Sequence, residues 1–355
     1  MNKAQRRRCR IVLTVLLSLL AVCALLLAAL HIWHTSRCRK ESALLQAEGY
    51  QFAVADGSHA LSYCRAGAEN AKHILITIAD TGENDLSVQL APMTEYLGDN
   101  AMIVCIDRAG CGLSGDSSQP QTAAQIVSDY RTALRNANIQ PPYVLLPHSE
   151  GGLYAAYWES LFPEEIEGVF FLSGTSPELP AEDAEPAGAF DRLTAWLGFD
   201  RLAGNQPALP ADLPPALRET AKMLYLHSSV TAAQISERKL LAENRAAVSE
   251  SIVTNDIPKA FVNTAAFQKT ADWLEADNWE RSFMQMPDLS DEERAACAVR
   301  AIESGKQSAD ALRPYLDRLG NCQYYELTGS RYIHMQKPMQ CAVLLSQFLA
   351  SLETE

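Results

Sequence analysis

The first forty residues contain no aspartate or glutamate, although the chain carries 43 acidic residues against 30 Lys and Arg. Residues 11–33, IVLTVLLSLLAVCALLLAALHIW, contain no formal charge at all. A second stretch of this kind is missing, which argues against a multi-span membrane protein. The nine cysteines include no Cys-x-x-Cys and no Cys/His spacing of a zinc site, so neither a metal centre nor a disulfide framework is expected. Internal repeats are absent, which excludes a solenoid. Past residue 40 basic residues are scarce: 22 Lys and Arg face all 43 acidic residues there, a formal charge of −21. Such acidity argues against nucleic acid as a partner.

What is present begins with the uncharged run. A helix rising ~1.5 Å per residue crosses a hydrocarbon layer of ~30 Å over this length. A secretory signal has a shorter apolar centre, about 7–15 residues, and a small-residue cleavage site, whereas this run ends in His31, Trp33 and His34. The expected element is a single transmembrane anchor, with Trp33 at the interface. Lys3, Arg6, Arg7, Arg8 and Arg10 precede it, and Arg37, Arg39 and Lys40 follow. That asymmetry places the N-terminus in the cytoplasm and the rest of the chain outside.

The hydropathy pattern then changes period. YQFAVADG and HALSYCRAG alternate and end in glycine, as in an edge hairpin. HILITIA (73–79), AMIVCID (101–107), YVLL (143–146) and GVFFLS (168–173) are compact strand-like runs. Helical spacing fills 85–97, 122–137 and 149–162 between them, and this rotation predicts a parallel sheet with helices on both faces. After the sixth strand a Pro, Ala and acid-rich stretch leads into helical segments near 189–203, 215–227 and 231–250. An insertion there would cap the carboxyl edge of the sheet, where open α/β sheets bind ligands. Strands resume at KAFVNTA (259–265) and CQYYEL (322–327), with helices near 288–304, 307–319 and 338–353. The expected division is a basic tail and anchor over 1–40, a core over 41–173 and 251–355, and a helical cap over 174–250.

Candidate chemistry centres on LLPHSEGG (145–152). A serine on a tight strand-to-helix turn is thrust above the sheet, and the next backbone N–H becomes one donor for an oxyanion. The competing reading makes Ser149 the N-cap of its helix. DRAGCGLSG (107–115) follows the fourth strand, HILITIADTGEND holds a strand and turn ahead of it, and LYAAYWESLFPEEIEGVFFL follows the serine.

These segments together resemble the α/β-hydrolases over most of residues 50–355, and the chain is identified as an α/β-hydrolase-fold protein of the membrane-anchored bacterial type. The resemblance implies a mostly parallel sheet of about eight strands with a helical cap, and Ser149 as nucleophile. It places the amides of Thr81 and Glu150 at the oxyanion positions. Pro147 replaces the first glycine of the elbow, and Ala79–Asp80 replace the usual His-Gly before Thr81. In the family's last motif, a pattern like G-x-H-[FY]-[IV]-H, the general base is the first histidine. Here LTGSRYIH puts Arg331 in that place and His334 three residues later. Arginine stays protonated and cannot serve as a base. Either His334 takes the role or Ser149 lacks an imidazole. Glu178 and Asp272 are the carboxylates nearest to the expected position of the acid.

Two functions follow from the resemblance. One is a membrane-anchored serine hydrolase acting on a small ester, amide or lipid-like molecule, with no cofactor and no metal. The other is a degenerate relative that binds a ligand or partner in the cap cleft, with Arg331 available to a carboxylate or phosphate. The expected partners are a small-molecule substrate and the membrane through residues 11–33. Oligomeric state is not legible.

Overall fold

The computed structural model describes residues 3–179, 185–210, 212–284 and 286–353; part of the Pro/Ala-rich stretch, residues 180–184, lies outside them. The chain starts with one unbroken helix, α1 (Lys3–Ala47), which carries the apolar run and continues through the segment after it. Leu45, near its end, is fully buried in a cluster with Tyr50, Val88, Leu113 and Leu224, so the helix is rooted in the body.

Eight strands form a single sheet: β1 (Gln51–Val54), β2 (Ala60–Gly67), β3 (His73–Ile78), β4 (Ala101–Ile106), β5 (Tyr143–Pro147), β6 (Ile166–Leu172), β7 (Lys259–Asn263) and β8 (Cys322–Glu326). Their spatial order is β1-β2-β4-β3-β5-β6-β7-β8. The β1–β2 and β2–β4 pairs are antiparallel and the remaining pairs parallel. Strands β4 and β5 are buried along their whole length, because helices cover both faces.

On one face lie α2 (Leu86–Thr94) and the last two helices, α12 (Ile333–Gln336) and α13 (Pro338–Leu352), packed on Leu75, Ile103, Val144 and Phe170. On the other lie α3 (Ala123–Asn136) and α4 (Gly151–Leu161), packed on Ile76, Val104, Leu145 and Phe171. Between β6 and β7 come α5 (Ala189–Leu197), α6 (Phe199–Ala203), α7 (Pro215–His227), α8 (Ala232–Lys239) and α9 (Leu241–Ser251). Between β7 and β8 come α10 (Thr270–Met284) and α11 (Asp291–Leu319).

Two departures from the sequence expectations stand out. The pair of helices expected over 288–319 is a single α11. Gly305 does not break it: a Cβ there would sit 2.2 Å from the Ala265 carbonyl oxygen, so the glycine allows close contact with the turn after β7. Helix α10 was not expected, and it takes Asp272 into its first turn.

Candidate active site

The site starts at the end of β5, where the backbone turns sharply into α4. Ser149 has φ +49°, in the left-handed region, a conformation that costs about 1–3 kcal/mol for a residue with a Cβ. The surrounding backbone holds it there: the His148 amide donates to Ile78 O at 2.9 Å, and the Ser149 amide to Leu172 O at 3.2 Å. Gly151 is required next, because a Cβ would stand 2.1 Å from Ile78 O and 2.7 Å from Ala79 O. Pro147 fits because it is the last residue of the strand, opposite Ile78. Ser149 is therefore displayed on an elbow and is not the N-cap, a position taken by Glu150.

Ser149 lines a cavity of about 560 Å³ under the cap, together with Asp80, Glu150, Tyr225, Arg331 and Tyr332. Among the described residues its hydroxyl has no hydrogen-bond partner, and no histidine lines the cavity.

The oxyanion expectation meets an unexpected occupant. The amides of Thr81 and Glu150 do converge, but on Asp80 Oδ1, at 2.8 and 3.2 Å. A carboxylate oxygen thus takes both donors. Burial pushes the Asp80 pKa up, the neighbouring Glu83 and Glu150 charges push the same way, and His148 pulls it back down.

The histidine beside the serine points away from it. His148 Nδ1 pairs with Glu83 Oε2 at 3.2 Å, and its Nε2 lies 3.1 Å from the backbone oxygen of Arg331, to which it donates as imidazolium. Burial alone would lower its pKa, but the Glu83 carboxylate outweighs that and raises it to about 9. Burial would likewise raise Glu83, and the His148 charge brings it down to about 2. The result is a buried ion pair fastening the loop after β3 to the elbow, with a strap from the loop that carries Arg331.

His334 does not take the position expected of a base. It is fully buried, its Nε2 lies 3.0 Å from Gln89 Oε1, and its ring packs edge-on against His148 at 4.6 Å. Burial and the neighbouring His148 charge lower its pKa to about 3. The three-residue shift puts it in the first turn of α12, and it does not line the cavity that Ser149 lines. The acid candidates are also dispersed. Glu178 bonds Arg318 at 2.8 Å and Ser249 at 3.2 Å on the surface, and Asp272 sits in the first turn of α10. Arg331 does reach the cavity that Ser149 lines; its guanidinium stacks over Tyr332 at 5.0 Å and lies 3.9 Å from Glu280.

Two buried networks tie the cap to the oxyanion loop. Arg245 of α9 donates to Glu150 Oε1 at 2.9 Å and to the backbone oxygens of Ser176 and Leu179. Glu237 of α8 accepts from Tyr154 at 2.9 Å, from Thr81 at 3.2 Å and from Arg108 at 3.2 Å, while Arg108 also donates to the carbonyls of Ala79 and Asp80. Sequence reasoning missed Asp80, Glu83, Arg245 and Glu237. The one visible signal was a charged residue, Asp80, at a place where the resemblance calls for glycine.

Comparison with known proteins agrees with this geometry at the level of fold. The family model for the alpha/beta hydrolase fold matches residues 86–211. The uncharacterized protein YbdG of Bacillus subtilis (strain 168) is 28% identical over 193 residues, 53% of this chain and 58% of that protein. The uncharacterized YqjL of the same organism is 30% identical over 95 residues, 38% of its length. The chain thus spans less than two thirds of either relative. Among solved structures, the epoxide hydrolase CorEH superposes with a TM-score of 0.57 at 14% identity, covering 85% of this chain and 99% of that one. A membrane phospholipase A described as a bacterial virulence factor superposes with a TM-score of 0.54 at 16% identity, covering 98% and 100%. The chain is an α/β-hydrolase-fold protein with enzymes among its structural neighbours.

Proposed function

We propose that the chain is a membrane-anchored α/β-hydrolase-fold protein that has kept the elbow and the pocket of a hydrolase and lost its relay, so that it binds a small ligand above Ser149 without cleaving it. The observation that carries this reading is Asp80 Oδ1 in the focus of the Thr81 and Glu150 amides. An acyl oxygen entering that focus would displace a carboxylate or meet its charge, whereas a hydrolase needs those donors free for the developing oxyanion. The missing imidazole acts in the same direction, since proton removal from serine requires a base within reach.

Residues 11–33 supply the membrane anchor in this reading: α1 holds a stretch with mean hydropathy 3.0, long enough to cross a bilayer. The ligand chemistry that fits is amphipathic. Tyr225, Phe283, Met284 and Met335 offer an apolar wall, and Arg331 a cation lining the same cavity as the serine. The test is full-length protein in detergent micelles, with organic extracts of wild type and of Ala208→Trp, which narrows the cavity at Ala208, compared by mass spectrometry. A small molecule retained by wild type and lost from the variant is expected. Equal extracts, with activated short esters turned over by wild type and not by Ser149→Ala, would contradict the binding role.

A second reading, a working serine hydrolase, is favoured by one observation: Ser149 stays in its strained left-handed conformation with its hydroxyl in the cavity. Turnover that depends on Ser149 would establish it.

A further inference from the structure

The strongest unassigned feature is a line of large apolar side chains on the outer face of the cap. Phe190, Leu193 and Trp196 on α5 recur at intervals of three residues, and Phe199 and Leu202 continue the line along α6. Their exposures run from 43% to 75%, while Ala195 and Leu197 of α5 are buried. Five large exposed apolar side chains within two consecutive short helices are more than scattered surface apolar residues, and such a concentration marks an interaction surface.

What covers it is indicated by where it is fastened. The His31 ring stacks on Trp196 at 3.7 Å, and His31 Nδ1 lies 2.9 Å from Trp196 O. Arg201 of α6 holds Glu41 through both nitrogens at 2.6 and 2.7 Å, and reaches His34 at 3.5 Å. Gly198, between the two helices, lies so close to α1 that a Cβ would meet the His34 ring at 2.5 Å. Helices α5 and α6 are therefore clamped to the turn of α1 where its apolar run ends. At ~1.5 Å of rise per residue, His31 and His34 lie within about one turn of Trp33. The exposed apolar surface of residues 11–33 continues directly into the strip. Arg37, Arg39, Lys40 and Arg192, all exposed, surround this junction with positive charge suited to anionic headgroups.

We propose that α5 and α6 form a second membrane contact, with Phe190, Leu193, Trp196, Phe199 and Leu202 seated in the interface of the bilayer that α1 crosses. This rests on the anchor reading above. Short amphipathic helices with Trp, Phe and Leu on one face bind interfaces in this manner, and tryptophan favours that depth. The contact holds the body with its cap toward the lipid. Pro207 and Ala208, a few residues beyond α6, line both the Ser149 cavity and an adjoining groove over 204–209. The pocket mouth thus lies next to the bilayer, and its ligand would be drawn from membrane-dissolved amphiphiles.

The test uses full-length protein reconstituted in phosphatidylcholine and phosphatidylglycerol vesicles, in a Trp33→Phe background that removes the anchor's own reporter. Emission in brominated phosphatidylcholine is compared with that in unbrominated lipid, and again after adding Trp196→Phe; flotation on a density gradient is measured in parallel. The Trp196 share of the emission, the difference between the two variants, should fall by half or more in brominated lipid. A chain that floats while its Trp196 emission ignores bromine overturns this proposal and leaves the anchor standing. A chain that does not float overturns the anchor and this proposal together. Loss of a dimer in Trp196→Glu, with no quenching, would reassign the strip to a second copy of the chain.

Discussion

Asp80 Oδ1 stands 3.2 Å from the Glu150 amide, the donor that the elbow turns into the cavity. Its other donor is the Thr81 amide at 2.8 Å. In an acyl-transfer enzyme these two hydrogen bonds would form to the oxyanion of the tetrahedral intermediate. Here a side chain of the same loop accepts both. Under the binding reading proposed above, two things separate this pocket from a working one, free donors and a base, and they differ in how they can be repaired.

Restoring either alone should do little. Asp80→Gly frees the donors but supplies no base, and Arg331→His supplies an imidazole that faces a filled oxyanion position. One oxyanion donor is worth ~10²–10³ in rate where the rest of the machinery exists. The double variant should therefore hydrolyse short activated esters far faster than the product of the single effects, a coupling that initial rates in a double-mutant cycle read directly.

The Glu83–His148 pair gives the fold a pH signature. The pKa of His148 is raised from 6.5 to about 9, so its contribution is complete below pH 6.5 and is lost as pH rises through 9. Glu83 is lowered from 4.5 to about 2, so its contribution is complete above pH 4.5 and is lost as pH falls toward 2. Buried Asp85 and Asp107, each raised from 3.8 to about 7, cost stability as pH rises across that interval. His334, lowered from 6.5 to about 3, costs stability as pH falls across its own. Thermal unfolding in detergent should show Tm falling between pH 6.5 and 9. Glu83→Gln should flatten that slope and lower stability by about 3–5 kcal/mol, the usual cost of stranding one buried partner.

Gly151→Ala tests the elbow's backbone. With Ile78 O 2.1 Å from the new Cβ, the turn must shift, at a cost of about 1–3 kcal/mol. A lower Tm is expected, measurable by scanning fluorimetry; an unchanged Tm would mean that β3 yields at no cost.

Much of this was legible in the sequence, for physical reasons. Strand runs such as AMIVCI and YVLLP are buried on both faces, and their unbroken apolar character is what a covered parallel strand requires. The elbow was readable because Ser149 and Gly151 stand where backbone geometry demands them. For the base, the sequence showed Arg331 where the resemblance calls for histidine, but that His334, on α12, turns its ring toward Gln89 depends on how a loop folds over long range. Asp80 was visible as a substitution for glycine, yet that its carboxylate folds back onto two amides follows from its side-chain rotamer and not from spacing. Helix α10 was missed because its buried residues, Ala276 and Phe283, are too few to show a clear period.

The most direct test of a filled oxyanion position without a base is the reactivity of Ser149 itself. Full-length wild type, Ser149→Ala and Asp80→Gly/Arg331→His would be exposed to a serine-reactive fluorophosphonate and followed by intact mass. No adduct on wild type and an adduct on the double variant, mapped to Ser149, is the predicted result. A wild-type adduct that forms rapidly and vanishes in Ser149→Ala would contradict it.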